Sequence, residues 1–349
     1  MKILIISDAW HPQVNGVVRT YEHLSAELRR TGHDVKVIGP ADFPARIPMP
    51  GYSEIQLVIN PQGRLRRMAE EFAPDHIHIS TEGPLGWAAR KYCIKHGKKF
   101  SSTYHTHFPD YIAKRVGRFL PFLYNWAHKT AINVVRKFHS ESSNLYVATQ
   151  SLEDELRGWG FTVPMTRLLR GVHMDLFYPG EKTEFQDLKR PVALYVGRVA
   201  IEKNLEDFLA MDWQGSKVIV GDGPSMEELT RKYPDAHFAG TKQGEALAAH
   251  YRSADLFVFP SRTDTFGMVL IEALASGLPV AGYNVTGPKD IITEDFLGAL
   301  HEDDLGDAAQ RALKTGTPEQ RAAHVKTHYT WENTGRQFMD AVKKIYGGP

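Results

Sequence analysis

Short apolar runs alternate along the first half of the chain with stretches of helical periodicity. The apolar run at residues 2–7 predicts a buried strand, and residues 17–30 carry apolar side chains at helical spacing before Gly32 ends the pattern. The alternation continues with strands predicted at 34–38, 75–79, 100–104 and 145–148 and helices predicted at 65–72, 85–96 and 152–159. Strands that alternate with helices are typical of a parallel sheet.

A second series of the same kind begins after Pro191. Its predicted strands cover 192–196, 217–220 and 256–259, and its predicted helices cover 205–211, 226–232, 245–252 and 268–275. Residues 178–180, Tyr-Pro-Gly, lie between the series and have the composition of a linker. We therefore predict an α/β fold of two doubly wound, Rossmann-like domains, 1–170 and 171–330, that face a cleft. Ligands of such sheets bind beyond the carboxyl ends of the strands.

Composition narrows the class of protein. Hydrophobic residues make up 42% of the chain, enough for each half to bury a core. Cys93 is the single cysteine, which excludes an internal disulfide and suits a reducing compartment. Residues 3–6 are too short an apolar run for a signal peptide, and no run approaches the roughly 20 apolar residues that span a bilayer. We therefore expect a cytoplasmic protein.

The net charge of +1 conceals an asymmetry between the two halves. Residues 1–170 carry 23 Lys and Arg against 15 Asp and Glu, whereas residues 171–349 carry 19 against 26. Solvated faces and contact with an anionic surface account equally well for the positive excess of the first half.

A polar loop followed by an apolar helix makes residues 261–272 the strongest candidate site. A strand ends at Pro260 and a helix begins near Gly267, whose free N–H groups and positive dipole end favour a diphosphate. Asp264 precedes the helix and could accept hydrogen bonds from sugar hydroxyls. Glu272 lies about 7.5 Å further along the helix, where it could accept from a ribose. Its neighbours are mostly apolar, and a carboxylate there needs a partner.

Two further loops follow predicted strands of the second series. Arg198 and Lys203 lie in the first loop, where they could neutralise a diphosphate leaving group. We predict that Lys203 opens the next helix and that Asn204 caps it. Basic residues in loops are usually only solvated, so this cluster favours a phosphate site without establishing one by itself. Gly221 lies at a tight turn in the second loop, but the glycine pattern of a dinucleotide-binding fingerprint is incomplete.

Polar residues also follow two predicted strands of the first domain. Gly16 permits close approach of a phosphate or sugar, although a plain turn glycine explains its position nearly as well. His105, His107 and Asp110 follow the strand at 100–104. Two histidines at i and i+2 with one carboxylate are poor evidence for a metal. We therefore predict no metal site and interpret His105 as a sugar-contacting or acid–base residue.

Basic and aromatic residues are interleaved over residues 111–129. This mixture suits contact with an anionic membrane surface. The alternative is that the aromatic residues belong to the core and the basic residues form a solvated face. We predict membrane or acceptor contact for the following residues: Lys114, Arg115, Arg118, Phe119 and Trp126. Basic residues at 64–67 and 91–99 add positive charge to the same half.

Together these motifs resemble the large family of retaining GT-B glycosyltransferases that includes α-mannosyltransferases and sulfolipid synthases (glycosyltransferase family 4). The resemblance covers nearly the whole chain and rests on the order of the following motifs: Asn15-Gly-Val-Val-Arg19, Tyr104-His105-Thr, Gly171-Val172, Gly197-Arg198, Glu202-Lys203-Asn204, Gly221-Asp-Gly and Asp264-Thr-Phe-Gly-Met-Val-Leu-Ile-Glu272. The family usually has Glu where this chain has Asp264, and often has Asp where it has His173.

The resemblance implies a role for each candidate residue. Arg198 and Lys203 would stabilise the departing diphosphate, Glu272 would hold the donor ribose, and His105 would lie near the reacting sugar. The residues assigned to donor binding are Gly16, Arg198, Lys203, Gly221, Phe266, Gly267, Met268, Val269 and Glu272, and those assigned to catalysis are His105, Arg198, Lys203 and Asp264. The resemblance also implies that the last helix, within 331–349, crosses back to the first domain.

The implied reaction moves a hexosyl unit from a UDP-sugar or GDP-mannose to an acceptor hydroxyl with retention. Neither a cofactor nor a metal is implied, because Arg, Lys and a helix end supply the positive charge. The basic first half and the branch resemblance favour a membrane lipid such as diacylglycerol, with peripheral association at the inner face of an anionic membrane and no nucleic acid partner. A polysaccharide or oligosaccharide acceptor is the alternative. A sugar-nucleotide epimerase, a phosphorylase and a non-enzymatic binding module are the rival functions.

Overall fold

The chain folds into two compact units. The computed structural model describes residues 1–13, 15–49, 52–105, 109, 121–264 and 266–347. The N-terminal unit comprises Met1–Leu169 with Trp331–Pro349, and the C-terminal unit comprises Arg170–Thr330. Residues 178–180, predicted as a linker, therefore lie inside the C-terminal unit. Within the part of the chain that the structure describes, no helix is both long and apolar enough to cross a membrane.

A six-stranded parallel sheet forms the centre of the N-terminal unit. The elements in chain order are β1 (Lys2–Ile6), α1 (Gly16–Arg30), β2 (Asp34–Ile38), β3 (Arg46–Met49), β4 (Tyr52–Val58), α2 (Gln62–Phe72), β5 (His76–Ile79), α3 (Pro84–Lys95), β6 (Phe100–Thr103), α4 (Tyr124–His139), β7 (Asn144–Val147), α5 (Gln150–Gly158) and β8 (Met165–Arg167). The sheet has the order β2-β1-β5-β6-β7-β8, while β3 and β4 form a separate antiparallel pair. Four consecutive residues of β1, Ile3 to Ile6, are fully buried, as expected of a parallel sheet covered on both faces.

The C-terminal unit also has a six-stranded parallel sheet. Its elements are β9 (Val192–Val196), α6 (Leu205–Ala210), β10 (Ser216–Val220), α7 (Met226–Lys232), β11 (His237–Gly240), α8 (Gly244–Ser253), β12 (Leu256–Phe259), α9 (Met268–Ala275), β13 (Val280–Tyr283), α10 (Pro288–Ile291), β14 (Gly298–His301), α11 (Leu305–Ala312) and α12 (Pro318–His328). The strand order is β11-β10-β9-β12-β13-β14. This is the order of a doubly wound sheet, so the predicted α/β class with two parallel-sheet domains is confirmed.

The strand order reverses once in each sheet, and ligands of doubly wound sheets bind at such a point. In the C-terminal unit, the chain moves outward from β9 to β11 on one side and from β12 to β14 on the other. The corresponding point of the N-terminal unit lies between β1 and β5. The loops that leave β9 and β12, and those that leave β1 and β5, are therefore the places to look for a site.

The last helix, α13 (Trp331–Ile345), belongs to the N-terminal unit. It packs against α1 and β8, and one of its faces is buried. The Tyr146 hydroxyl donates to the Phe338 carbonyl at 2.8 Å, and the Thr334 hydroxyl donates to the Leu169 carbonyl at 3.0 Å. A Cβ at Gly335 would lie 2.7 Å from Glu27 Cγ, so this glycine lets α1 and α13 approach closely.

Candidate active site

A lysine and an aspartate meet where the strand order of the C-terminal unit reverses. Lys203 follows β9 and Asp264 follows β12, and the two strands are neighbours. Lys203 Nζ donates to both carboxylate oxygens of Asp264, at 2.6 and 2.9 Å, and each side chain is 25% exposed. The sequence assigned these residues to separate contacts, with diphosphate and with sugar. The structure brings them together, so Asp264 fixes the position of the Lys203 ammonium group.

Lys203 lies before the next helix rather than at its first position. Ile201–Lys203 form a short 3-10 turn, and α6 begins at Leu205. Asn204 adopts the left-handed conformation, with φ of 54°, and stands at the N-cap position without making a side-chain cap bond. Its amide donates to Asp207 at 2.5 Å instead. The prediction that Lys203 opens the helix is therefore wrong, whereas Asn204 takes the predicted cap position without making the cap bond.

Arg198 lies in the same loop with its guanidinium in solvent. Its side chain is 53% exposed and 3.6 Å from Glu202, an ion pair that contributes little at such exposure. Its backbone carbonyl accepts from the Tyr195 hydroxyl at 2.9 Å. Burial, with Asp264 and Glu202 nearby, raises the pKa of Tyr195, so this hydroxyl keeps its proton. The backbone of the loop is thus fixed while the guanidinium can move to a ligand.

Gly221 has a structural reason to be glycine. A Cβ there would lie 1.8 Å from the Gly197 carbonyl oxygen, because the chain leaves β9 and β10 side by side. The Gly221 amide donates to Gly240, and the Gly197 amide donates to Val220. The loop that carries Arg198 is therefore tied by backbone hydrogen bonds to the adjacent strand.

Among the described residues, the start of helix α9 has no side-chain cap. Gly267 occupies the N-cap position with φ of 89° and has no side chain to accept from them. The first turn, Met268 to Leu270, is described in full and carries no acidic side chain. Phe266, just before it, is buried, with the Arg170 guanidinium 6.0 Å from its ring centroid. Free amides at the positive end of a helix dipole favour an anion.

Glu272 does have the partner that its apolar surroundings require. The hydroxyl of Tyr251, on α8, donates to Glu272 Oε2 at 2.9 Å. Tyr251 is fully buried, and burial together with Glu272 raises its pKa well above the usual value. The bond fixes one carboxylate oxygen of Glu272. Sequence reasoning missed Tyr251, because 21 residues separate the pair and no spacing rule joins them.

In the N-terminal unit, Gly16 opens α1. A Cβ at Gly16 would meet no atom within 4 Å, and its backbone does not require glycine, so neither packing nor conformation explains the residue. Space for a ligand is consistent with this. The start of α1 itself is capped, because Asn15 Oδ1 accepts from the amides of Val17 at 3.0 Å and Val18 at 3.1 Å.

His105 follows β6 and is partly buried. Its Nε2 lies 3.1 Å from the hydroxyl of Tyr21, and the two rings meet edge to face. Tyr21 is fully buried on α1 and lies 2.8 Å from His78 Nε2. His105 therefore stands at the end of a strand with one ring nitrogen tied to the interior. His107 and Asp110 lie outside the described residues.

Asp8, which the sequence did not single out, fills the point where the N-terminal sheet reverses. Its carboxylate accepts from the amides of Leu85 at 2.8 Å and Gly86 at 3.1 Å, at the start of α3, and from the Thr81 hydroxyl at 3.0 Å. Burial raises its pKa to about 6, although these hydrogen bonds oppose the rise. Asp8 therefore caps α3, and the signal for it is a lone carboxylate just after a buried strand.

Four of the residues predicted to contact a membrane or acceptor, Lys114, Arg115, Arg118 and Phe119, lie outside the described part of the chain. The fifth, Trp126, is 64% exposed near the start of α4, and Phe122 beside it is 78% exposed. The helix α4 has basic residues in its last turn, and its sequence contains no Asp or Glu. Two large apolar side chains are thus exposed, Trp126 on this basic helix and Phe122 in the short 3-10 turn before it.

No metal site is apparent among the residues that are described. They contain no group of three or more His, Cys, Asp or Glu side chains that could hold a metal ion. Cys93 is buried, and burial raises the pKa of its thiol to about 12.

Comparison with known proteins identifies the family. The model described as Glycosyltransferase Family 4 matches residues 14–176, and the model described as Glycosyl transferases group 1 matches residues 181–323. A GDP-mannose-dependent alpha-mannosyltransferase of Mycobacterium tuberculosis is 30% identical over 86% of this chain and 83% of that protein. The chain belongs to glycosyltransferase family 4.

Other relatives of this glycosyltransferase have different names. The sulfoquinovosyl transferase SQD2 of Arabidopsis thaliana is 30% identical over 81% of this chain but only 55% of that protein. The alpha-monoglucosyldiacylglycerol synthase of Streptococcus pneumoniae is 24% identical over 99% of this chain and 85% of that protein. The relatives therefore span more than one donor.

Solved structures agree with the GT-B fold. A sucrose-phosphate synthase from Thermosynechococcus elongatus has a TM-score of 0.77 at 20% identity, covering 99% of each chain. Anabaena HepE in complex with UDP-glucose has a TM-score of 0.72 at 13% identity, covering 99% of this chain and 100% of that one. At these identities the likeness concerns the fold.

Proposed function

We propose that this glycosyltransferase moves a hexosyl unit, with retention, from a UDP-sugar or GDP-mannose to a hydroxyl of a membrane lipid such as diacylglycerol. The observation that carries the donor half is the pairing of Lys203 with Asp264 close in sequence to the start of α9, whose N-cap residue is a glycine. The lipid half is supported by relatives named for diacylglycerol glucosylation and sulfoquinovosyl transfer. Retention is supported by the alpha products in the relatives' names.

The donor is held in the C-terminal unit by positive charge and hydrogen-bond acceptors. The diphosphate accepts from the first amides of α9 and lies against Lys203 and Arg198. Glu272, fixed by Tyr251, accepts from the ribose. Gly16 and His105 act from the N-terminal unit, His105 by contacting the transferred sugar. Gly221 and Phe266 shape the loops around the donor.

Bond exchange then occurs on one face of the sugar. The C1–O bond to the diphosphate breaks, and positive charge develops on the ring. The acceptor oxygen bonds to C1 on the side that the diphosphate leaves, and its proton passes to a diphosphate oxygen. Lys203 and Arg198 stabilise the growing negative charge on the leaving group, which is the electrostatic role that a metal has in other transferases. We propose that no metal is required, and expect unchanged turnover in EDTA.

The acceptor surface is assigned to the basic faces of the N-terminal unit. Residues 84–99 contain five Lys and Arg and no Asp or Glu. A groove of about 750 Å³ lies along α3, with Trp87 and Ile94 on its apolar part and Arg90, Lys91 and Lys95 among its lining residues. An apolar groove with a cationic margin suits a lipid at an anionic, peripheral membrane surface.

Activity tests the acceptor class directly. UDP- and GDP-sugars are incubated with the protein and a membrane lipid extract, or with oligosaccharides, and products are identified by mass spectrometry. A glycolipid and donor-derived nucleoside diphosphate formed only with lipid support the proposal. A glycosylated oligosaccharide would establish the alternative acceptor, and an epimerised donor without any acceptor would replace transfer by epimerisation.

Membrane contact is tested with vesicles of phosphatidylglycerol and phosphatidylcholine against phosphatidylcholine alone. Binding should require the anionic lipid and weaken as salt rises. The double variant Lys91→Glu with Lys95→Glu should weaken vesicle binding. The control, Lys343→Glu with Lys344→Glu on α13, makes the same change of charge elsewhere in the unit and should bind vesicles better than the test variant. Salt-independent binding, or none, would contradict peripheral attachment.

A further inference from the structure

Glu82 lies in the loop that leaves β5, at the point where the strand order of the N-terminal sheet reverses. Thr81, the residue before it, is bonded to the loop that leaves β1. The Asp8 amide donates to the Thr81 hydroxyl oxygen at 2.7 Å, and this hydroxyl donates to the Asp8 carboxylate at 3.0 Å. The Glu82 side chain is 21% exposed. A glutamate side chain thus remains accessible at the edge of the sheet where ligands of doubly wound folds bind.

The helix that follows Glu82 does not need this carboxylate. The helix α3 begins at Pro84, and the amides of Leu85 and Gly86 in its first turn already donate to Asp8. Within the part of the chain that the structure describes, the Glu82 carboxylate makes one hydrogen bond, between Oε1 and His139 Nε2 at 3.2 Å. Its Oε2 makes no hydrogen bond to those residues. The fold therefore uses one oxygen of Glu82 and leaves the other for a ligand.

His139, the last residue of α4, holds Glu82 from the interior of the unit. Its side chain is completely buried. Its Nδ1 lies 2.8 Å from Ser102 Oγ on β6. Three aromatic rings with centroids 4.9 to 6.1 Å away pack around the imidazole: Phe138, Phe161 and Tyr104. The imidazole is thus held by packing and by a hydrogen bond at each nitrogen, so it fixes the position of Glu82 Oε1.

Two buried serines determine where the proton of His139 lies. Ser142 Oγ lies 2.8 Å from the Asn144 carbonyl oxygen and 2.9 Å from Ser102 Oγ. Because a carbonyl only accepts, Ser142 donates its single proton to Asn144 and accepts from Ser102. Ser102 then has no proton left, so it accepts from His139 Nδ1. His139 therefore carries a proton on Nδ1.

A further proton lies between His139 and Glu82. A neutral imidazole with its proton on Nδ1 has an acceptor at Nε2, and two acceptors cannot bond to each other. The contact is therefore either an imidazolium that donates to a carboxylate, or a neutral imidazole that accepts from protonated Oε1. In both arrangements the proton lies between Nε2 and Oε1. Oε2 of Glu82 thus keeps only lone pairs and is a hydrogen-bond acceptor.

We propose that Oε2 of Glu82 accepts a hydrogen bond from a hydroxyl of the lipid headgroup, and that His139 is its positioning residue. This proposal rests on the proposed function, in which the reacting hydroxyl gives its single proton to the diphosphate. The hydroxyl that Glu82 binds is therefore a second one. Glu82 makes a lipid with several headgroup hydroxyls, such as a glycosylated diacylglycerol, a better acceptor than diacylglycerol, which has one.

Acceptor kinetics test the contact with two lipids that have the same acyl chains, dioleoylglycerol and monoglucosyl-dioleoylglycerol. Glu82→Ala should raise the KM for the glucosyl lipid about tenfold, the order expected for one buried hydrogen bond. The kcat, the donor KM and the KM for dioleoylglycerol should stay close to those of the parent, because the lost contact is to neither the donor nor the reacting hydroxyl. An unchanged KM for the glucosyl lipid, or an equal increase for both lipids, would overturn the proposal.

Two further variants separate the contact from folding and from charge, and each is checked for the parent's Tm. In Glu82→Gln, the amide can donate to His139 Nε2 and present its oxygen to the lipid, so the KM for the glucosyl lipid should lie closer to that of the parent than to that of Glu82→Ala. Glu153→Ala on α5 is the matched control, because Glu153 is 23% exposed and lies 3.5 Å from Arg157. It should leave both acceptor KM values unchanged. A Gln variant as impaired as Glu82→Ala would overturn the role of His139.

Nitrogen NMR tests the support from His139 without any substrate. Long-range ¹H–¹⁵N spectra of the imidazoles, with His139 assigned from His139→Gln, should show a proton on Nδ1. A proton on Nε2 alone would overturn the positioning role. A parent protein that is inactive on both lipids and on a membrane lipid extract would contradict the proposed function, whereas an active parent whose acceptor KM is unaffected by Glu82→Ala would contradict the role of Glu82 alone.

Discussion

Each unit has a sheet whose strand order reverses beside its first strand, but the helix starts near that point differ. In the N-terminal unit, the Asp8 carboxylate accepts from two amides at the start of α3, and Asn15 accepts from two amides at the start of α1. In the C-terminal unit, α9 begins after Gly267, which has no side chain to do the same. Lys203 adds positive charge beside the neighbouring strand.

The difference supports our proposal that the C-terminal unit holds the diphosphate. A helix start attracts anions whether the anion belongs to the protein or to a ligand. Asp8 and Asn15 satisfy the amides of the N-terminal unit and stabilise its fold. The N-cap residue of α9 has no side chain to bond the first amides, and we propose that these amides bind the substrate. Predictions that alter one helix start at a time test this contrast.

The largest expected effect concerns the filled helix start. The pKa of Asp8 is about 6 when folded, against an ordinary 3.8. Between these values the unfolded chain releases the proton and the folded chain keeps it, so ionisation favours unfolding. The free energy of unfolding of the parent relative to Asp8→Asn should therefore fall by roughly 2.4 kcal/mol as pH rises from 4 to 7. Urea denaturation of both proteins at several pH values measures this difference in the free energy of unfolding. A difference that stays constant or grows as pH rises would contradict the role of burial.

A smaller effect is expected from the cation beside β9. Lys203→Ala removes the charge that, in our proposal, faces the departing diphosphate, so kcat should fall at least about tenfold with the Tm close to that of the parent. Lys232→Ala breaks an ion pair of similar length, 2.7 Å to Glu206, on an exposed helix of the same unit. That control should keep the parent's rate. Parent-like turnover in Lys203→Ala would refute its assigned role.

The smallest effect separates charge from shape at α9. Asn and Asp both tolerate the left-handed conformation of Gly267. A Cβ at this position would contact Leu270 at 3.0 Å and Phe259 at 3.2 Å. Gly267→Asn and Gly267→Asp therefore carry the same steric cost. Asp also brings a negative charge that caps the amides. The donor KM should be about fivefold higher in the Asp variant than in the Asn variant, by roughly 1 kcal/mol of helix-end electrostatics. Equal KM values would mean that the diphosphate lies elsewhere.

The central strands of both sheets were predictable from the sequence because they are continuous apolar runs. The runs predicted at 192–196 and 256–259 coincide with β9 and β12. Strands with weaker patterns were missed, among them β14, whose sequence GALH has few strand-forming side chains, and the hairpin of β3 and β4, which lies outside the main sheets. Their pairing depends on neighbours distant in sequence, and local patterns do not contain it.

The candidate site was predictable as a set of loops and not as a set of contacts. Strand ends identified Lys203 and Asp264, since parallel strands bring their carboxyl ends to one edge, and the apolar helix that follows identified Glu272. The bond between Lys203 and Asp264 joins residues 61 positions apart, and Tyr251 reaches Glu272 from another helix. Asp8 follows a buried strand, but nothing local links it to the helix that it caps, because its bonds to Leu85 and Gly86 span 77 and 78 positions.

A crystal structure of the protein with UDP or GDP bound tests the central claim most directly. The diphosphate should lie with an oxygen within about 3.2 Å of the backbone nitrogen of Met268 or Val269 and with Lys203 Nζ in contact. The amides at the start of α3 should stay bonded to Asp8. A diphosphate bound away from α9, with Lys203 making no contact to it, would contradict the account.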